Sequence, residues 1–132
     1  MELRIDLENF TGKKVFAKYS FFLVLSERRK YQMFLGPYSG DAGDSLVYHN
    51  GSRFSTEDQD NDEYSKQCST HQGGGGGWWF KSCVHSTLNG VYHKTSKASK
   101  AWNGISWNTF GGSSVSLKKT EMKIRPVNLG PQ

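Results

Sequence analysis

Apolar and polar residues alternate in short runs over the first third of the chain. Leu3, Ile5 and Leu7 fall on one side of an extended segment, with Arg4 and Asp6 on the other. Val15–Tyr19 follows the turn-forming Thr11-Gly12, and Phe21–Leu25 comes next. Tyr31–Leu35 then ends at the chain-reversing Gly36-Pro37. Their β-branched and aromatic content predicts strands of an antiparallel meander. The small residues Ser39–Asp44 predict a capped helix over Ser45–His49. From Asn50 to about Gly112 the periodicity nearly vanishes, and Gly, Ser, Asn and Asp dominate. Trp78, Trp79, Phe80, Trp102 and Trp107 are embedded there, which argues for order. Alternation returns at Ser114–Leu117 and at Glu121–Val127. In the latter, Met122, Ile124 and Val127 against Glu121, Lys123 and Arg125 predict an inner returning strand. The domain plan is therefore a sheet region over 1–49, loops over 50–112, the returning strand within 113–127 and a tail over 128–132.

At 132 residues the chain is about one domain. No apolar stretch approaches the ~20 residues that cross a bilayer. Met1–Asp6 carries charge where a secretion signal needs an apolar run, so such a signal is expected outside this chain. The net charge is +5, from 17 Lys+Arg against 12 Asp+Glu. Its carriers are scattered in sequence, without a basic helix, zinc-finger spacing or an aromatic RNA-binding motif. The pattern favours a solvated basic surface over dedicated nucleic-acid binding. There is no GxSxG elbow, HExxH helix or paired-carboxylate arrangement, so an enzyme is not expected.

Two features carry the candidate chemistry. Cys68 and Cys83 are the two cysteines, outside any CxxC pair. A disulfide between them would close a glycine-rich loop of about fifteen residues, an entropic effect of about 3 kcal/mol. Two buried thiols fit the composition equally well. Asp58-Gln59-Asp60-Asn61-Asp62 offers alternating carboxylates suited to calcium. As an EF-hand it fails, because Glu63 and Ser69 stand where glycine and a bidentate Glu are required. A solvated acidic turn remains the other reading. Asn9-Phe10-Thr11 and Asn50-Gly51-Ser52 fit the N-glycosylation pattern.

Phe54-Ser55-Thr56, Asp60 and Asp62, Cys68, Trp78-Trp79, Cys83, Leu88-Asn89-Gly90, Tyr92, Gly104-Ile105-Ser106-Trp107, Ser116-Leu117 and Met122–Pro126 occur in one order, preceded by Tyr38–Asp44. In order and spacing they closely resemble fibrinogen-related domains, the group that includes ficolins, tachylectins, angiopoietins, tenascins and microfibril-associated glycoproteins. The resemblance covers almost the whole chain. It implies an α+β, fibrinogen C-terminal-like fold. An antiparallel central sheet and short helices would flank a long loop-rich calcium- and ligand-binding region. The N-terminal part of the domain is expected to be missing.

By the same resemblance, Asp60 and Asp62, with the main-chain carbonyls of Tyr64 and Lys66, hold one Ca²⁺, with an affinity on the order of 10⁻⁴–10⁻³ M. Cys68 pairs with Cys83, and the Ser82–Cys83 peptide is cis. The protein is secreted, as disulfides require. The ligand pocket lies beside this loop, with Phe80, Ser82, Cys83, His85 and Trp102 as candidates. Val84 takes the position where acetyl-binding members carry histidine, with His85 one residue later, and Ala101 and Ser113 replace further pocket aromatics. Trp78, Trp79 and Trp107 are read as core. His49, His71 and His93 have no partner visible in the sequence. Two functions follow: a secreted calcium-dependent lectin for glycans or acetylated ligands, or a matrix or receptor-binding module with a degenerate sugar pocket. In either case oligomerisation is expected to come from segments outside the chain.

Overall fold

Leu3, Ile5 and Leu7 become the inner face of strand β1 (Glu2–Glu8), and none is more than 2% exposed. The computed structural model describes residues 1–127, so the expected tail over 128–132 lies outside the described residues. After β1 the Asn9 side chain makes the turn. Its oxygen accepts from the Thr11 N–H, the Thr11 hydroxyl and the Lys13 N–H at 3.1, 2.7 and 2.9 Å, and Gly12 adopts φ +89°. The chain returns as β2 (Lys14–Tyr19), antiparallel to β1. The register Leu3↔Tyr19, Ile5↔Ala17 and Leu7↔Val15 joins six buried side chains into one apolar face.

β3 (Phe22–Val24) and β4 (Met33–Leu35) form a separate hairpin, and β5 (Tyr38–Gly40) pairs with β2. The helix expected over Ser45–His49 is a single 3-10 turn, Val47–His49. Its entry is set by Asp44, whose carboxylate accepts from the Leu46 and Val47 N–H groups and from the Tyr19 hydroxyl. The loop half holds one short helix, α1 (Cys68–His71), and the two-residue pair β6 (Ser86–Thr87) and β7 (Ser106–Trp107). The alternation at Ser114–Leu117 does not become a strand; only Val115 bridges to Lys97.

β8 (Lys119–Arg125) pairs with β1 and completes a sheet of order β5-β2-β1-β8. Among the described residues β8 is the edge of this sheet, with no strand on its outer side. Its register, Ile5↔Met122 and Leu3↔Ile124, turns both apolar side chains toward the core face. Nothing among the described residues covers them, and they are 38% and 56% exposed. On the opposite face β8 is laced to β1 by Arg125–Glu2 and Lys123–Asp6 ion pairs. Exposed pairs of this kind contribute only ~0–1 kcal/mol each, so the buried face of β1 outweighs them.

A polar knot fastens the sheet to the loop half. The Asp41 carboxylate accepts the Phe16 N–H at 2.8 Å, and the Trp107 indole N–H donates to the Gly43 carbonyl at 2.9 Å. The Thr109 hydroxyl donates to the Ala42 carbonyl at 2.8 Å. Any Cβ on Gly43, already at φ +82°, would collide with Thr109. The knot explains why small residues crowd Ser39–Asp44.

Truncating a covered strand residue should therefore cost far more than truncating its exposed neighbour. Urea unfolding of Ile5→Ala is expected to show a loss of about 2–5 kcal/mol. Ile124→Ala should stay within about 1 kcal/mol. Equal losses would mean that β8 is covered in solution.

Candidate functional site

The acidic loop is organised by its own backbone. The Asn61 N–H donates to the buried Ser55 hydroxyl at 2.8 Å, and the Asn61 amide donates to the Phe54 carbonyl at 2.9 Å. The Asp62 N–H donates to the Asp60 carboxylate at 3.1 Å. One oxygen of Asp62 accepts from Tyr64 N–H and the other from Cys68 N–H, both at 2.9 Å. The Asp62 carboxylate thus ties the loop to the start of α1. Burial, and then the adjacent Asp60 carboxylate, push the Asp62 carboxyl above its ordinary value, although the Cys68 and Tyr64 N–H groups pull it down.

This donor set fits a hard cation. Two carboxylates lie side by side, and a bound ion would reverse the repulsion between them. Among the described residues neither the Tyr64 nor the Lys66 carbonyl accepts a backbone hydrogen bond, so both oxygens retain their coordinating capacity.

Cys68 and Cys83 are joined, with Cα atoms 5.6 Å apart. The disulfide connects the start of α1 to the segment Trp79–Ser86, where the Ser82–Cys83 peptide is cis. The segment joins a ladder only at its end, where Ser86 pairs with Trp107, and two side chains of the Val47–His49 turn add to what holds it. The Tyr48 hydroxyl donates to the Ser82 carbonyl at 2.9 Å. His49 is fully buried and uses both ring nitrogens. Nδ1 lies 2.8 Å from the Trp79 carbonyl, while Nε2 accepts from the His85 and Ser86 N–H groups at 3.1 and 3.3 Å. Only a neutral ring protonated on Nδ1 satisfies all three contacts. Burial is the main cause that lowers the His49 pKa, to about 4, with His85 and Lys81 adding to it; the Trp79 carbonyl opposes them.

The expected pocket residues separate on this frame. His85 is exposed and lies flat on Tyr48, with ring centroids 3.9 Å apart and planes at 14°. The Lys81 ammonium is 5.2 Å from the centroid of the same Tyr48 ring. Ser82 is exposed beside them, and Cys83 is buried by the disulfide. Phe80 is buried: it is 1% exposed, and its ring fills the space left by Gly73. Trp102 sits on a different turn, at φ +60°, with its N–H donating to the Ser113 carbonyl. Among the described residues it makes no ring contact or polar side-chain contact with His85. Val84 is buried. Trp78 and Trp107 are core as expected, but Trp79 is half-buried, its indole N–H donating to the Tyr31 carbonyl at 2.9 Å.

Tyr48 and His49 are the residues that sequence reasoning missed. His49 follows no metal or catalytic spacing, and its partners are backbone groups thirty or more residues ahead. Of the sequon asparagines, Asn50 is exposed, with its side-chain oxygen accepting the Leu35 N–H at 2.9 Å. Asn9 carries the β1–β2 turn.

A mostly β domain combines here with an acidic loop, a disulfide and a cis peptide in one region. Residues 1–127 match the family described as fibrinogen beta and gamma chains, C-terminal globular domain, and the chain belongs to that family. It is 45% identical over 130 residues to angiopoietin-related protein 7 of Bos taurus, covering 98% of this chain and 37% of that one. It is also 44% identical to angiopoietin-related protein 6 of Homo sapiens, covering 97% of this chain and 27% of the relative. The solved fibrinogen-like globe domains of human ANGPTL6 and ANGPTL2 superpose with TM-scores of 0.92 and 0.91, at 44% and 42% identity. Those matches cover 97% and 96% of this chain, and 57% and 58% of the solved chains. A lamprey fibrin D-dimer complexed with the peptide Gly-His-Arg-Pro-amide gives 0.86 at 30% identity, covering 99% of this chain and 48% of that one. The chain thus spans little more than half of the globe domains it matches.

A pH dependence follows from His49. The folded ring titrates near 4 and the unfolded one near 6.5. Between these values the unfolded chain binds more protons, so stability rises with pH. The His49 contribution is present above about pH 6.5 and is lost as the pH falls through 4, a change of roughly 3 kcal/mol. Asp62 acts in the opposite sense in calcium-free protein, because its folded carboxyl holds a proton more tightly than the unfolded one. Chemical denaturation from about pH 7 to about pH 4 should therefore show a steep loss in the wild type and a flatter profile in His49→Gln. Parallel profiles would remove His49 from this role.

Proposed function

We propose that the chain is the recognition part of a secreted fibrinogen-like protein, that it holds one Ca²⁺ and that it binds an extracellular protein or receptor. The observation that carries the choice of partner is the state of the expected sugar pocket. Val84 is apolar and buried where acetyl-binding members carry histidine, His85 is stacked on Tyr48, and Phe80 is sealed in the core. A desolvated site that lacks a polar partner loses ~1–3 kcal/mol, or roughly one to two decades of affinity. The acetyl-group lectin is therefore the weaker reading. What remains exposed is a firm surface of His85, Ser82 and the half-buried Tyr48 and Lys81 beside the acidic loop. An aromatic ring with flanking polar groups on a pinned backbone suits a protein partner, because little order must be gained on binding.

In this reading Asp60 and Asp62, with the Tyr64 and Lys66 carbonyls, hold the ion, which neutralises their mutual repulsion and steadies the loop. Calcium would also neutralise the acidic edge of the surface. The membership of the fibrinogen family and the disulfide support an extracellular setting. Asn50, exposed within its sequon, is the better placed N-glycan acceptor of the two.

Two measurements test this. Calorimetry should detect a weak calcium site in the wild type and no binding heat in Asp60→Ala/Asp62→Ala; unchanged heat would place the ion elsewhere. Calcium-dependent binding to cells should disappear after the cell surface is trypsinised and should resist competition by N-acetylglucosamine. Competition by the acetylated sugar would restore the lectin reading.

A further inference from the structure

Basic residues that are scattered in the sequence meet in one place. Arg28 and Arg29 belong to the 3-10 turn Glu27–Arg29, and Lys30 caps it. Arg53 follows the Asn50–Ser52 sequon, and Lys81 precedes the cis peptide. These five cations line two adjoining concavities of about 270 and 220 Å³ that share Gln32, Arg53 and Asn61. One acidic side chain, Glu63, lines them, and Glu27 lies in the same turn. Among the described residues none of the five is in an ion pair. On the sheet, by contrast, Arg4, Lys18, Lys123 and Arg125 are all paired with carboxylates.

The backbone that presents these cations is set firmly. Lys30 and Tyr31 both adopt left-handed conformations, with φ of 57° and 55°, which are uncommon outside glycine. Tertiary bonds hold them: the Phe54 N–H donates to the Lys30 carbonyl, and the Trp79 indole donates to the Tyr31 carbonyl, both at 2.9 Å. Two successive disfavoured residues persist only where their surroundings impose them, and such places cluster at functional sites.

We propose that this groove binds a sulfated polysaccharide, as a second ligand beside the partner of the His85 surface, the two sites meeting at Lys81. Guanidinium groups pair in a fork with the oxygens of a sulfate group, and three arginines are available. Gln32, Asn50 and Asn61 each spend one amide atom inside the chain, and the other, with the Ser52 hydroxyl, matches sugar hydroxyls. A protein ligand would need an apolar anchor pocket at the centre. Phe80, the one aromatic side chain in the lining, is buried beneath it. Two linked concavities with repeated positive charge suit a linear polymer with repeated negative charge. Asn50 stands in this groove, so an N-glycan on it would cover the site.

The test uses protein produced without N-glycans and a heparin oligosaccharide of defined length, with binding measured by calorimetry. Arg28→Glu/Arg29→Glu/Arg53→Glu reverses three cations of the groove and leaves the left-handed Lys30 untouched. Lys94→Glu/Lys97→Glu/Lys100→Glu makes the same change of charge at exposed positions outside the groove. The groove variant should lose about tenfold or more in affinity, and the control less than about threefold. Desulfated heparin of the same length should fail to bind. Equal losses in both variants, or equal binding of desulfated heparin or polyglutamate, would overturn the proposal. Unaltered thermal unfolding of the groove variant keeps its loss attributable to the site.

Discussion

A buried, neutral imidazole connects the two halves of this domain. His49 lies at the end of the sheet region and spends both nitrogens on main-chain groups of the Trp79–Ser86 segment. That segment carries the cis peptide, the second disulfide cysteine and the exposed His85. Without the imidazole, a carbonyl and two N–H groups would need other partners, and leaving such buried groups unmatched costs ~1–3 kcal/mol each. The neighbouring Tyr48 adds the bond to the Ser82 carbonyl and the ring on which His85 rests. One turn of 3-10 helix thereby supplements the two-residue ladder of β6 and β7 in the loop half.

The other ties of the loop half follow the same economy. Asp62 spends its two oxygens on the Tyr64 and Cys68 N–H groups, and the disulfide then joins Cys68 to the pinned segment. The candidate cation loop and the candidate recognition surface therefore share one covalent link. This arrangement suits recognition, where a fixed surface lowers the ordering cost of binding.

The sheet was the more legible half, for a physical reason. Leu3, Ile5 and Leu7 bury one face of β1, and a period of two is a local property of the chain. Met122 and Ile124 show the same period but lie on an edge, because burial of a strand face depends on what packs against it. The residues alone left the cysteines open between a disulfide and two thiols. The ordered motifs of the fibrinogen family pointed to the pairing and to the cis peptide, and the structure carries both. Phe80 read as a pocket residue, since the sequence does not show that Gly73 leaves room for its ring. His49 was illegible because its partners are backbone groups, which every residue possesses. The groove cations hid in the same way: Arg28, Arg53 and Lys81 are far apart in sequence and meet only in the fold.

The state of the His49 ring is the most direct test of this architecture. Nitrogen NMR of the imidazole resolves the proton on Nδ1 from the lone pair on Nε2 and follows both through an acid titration. A neutral ring with the proton on Nδ1, holding down to a pH near 4, is the result this account requires. A ring that takes up its second proton near 6.5, or that carries its proton on Nε2 while neutral, would contradict it.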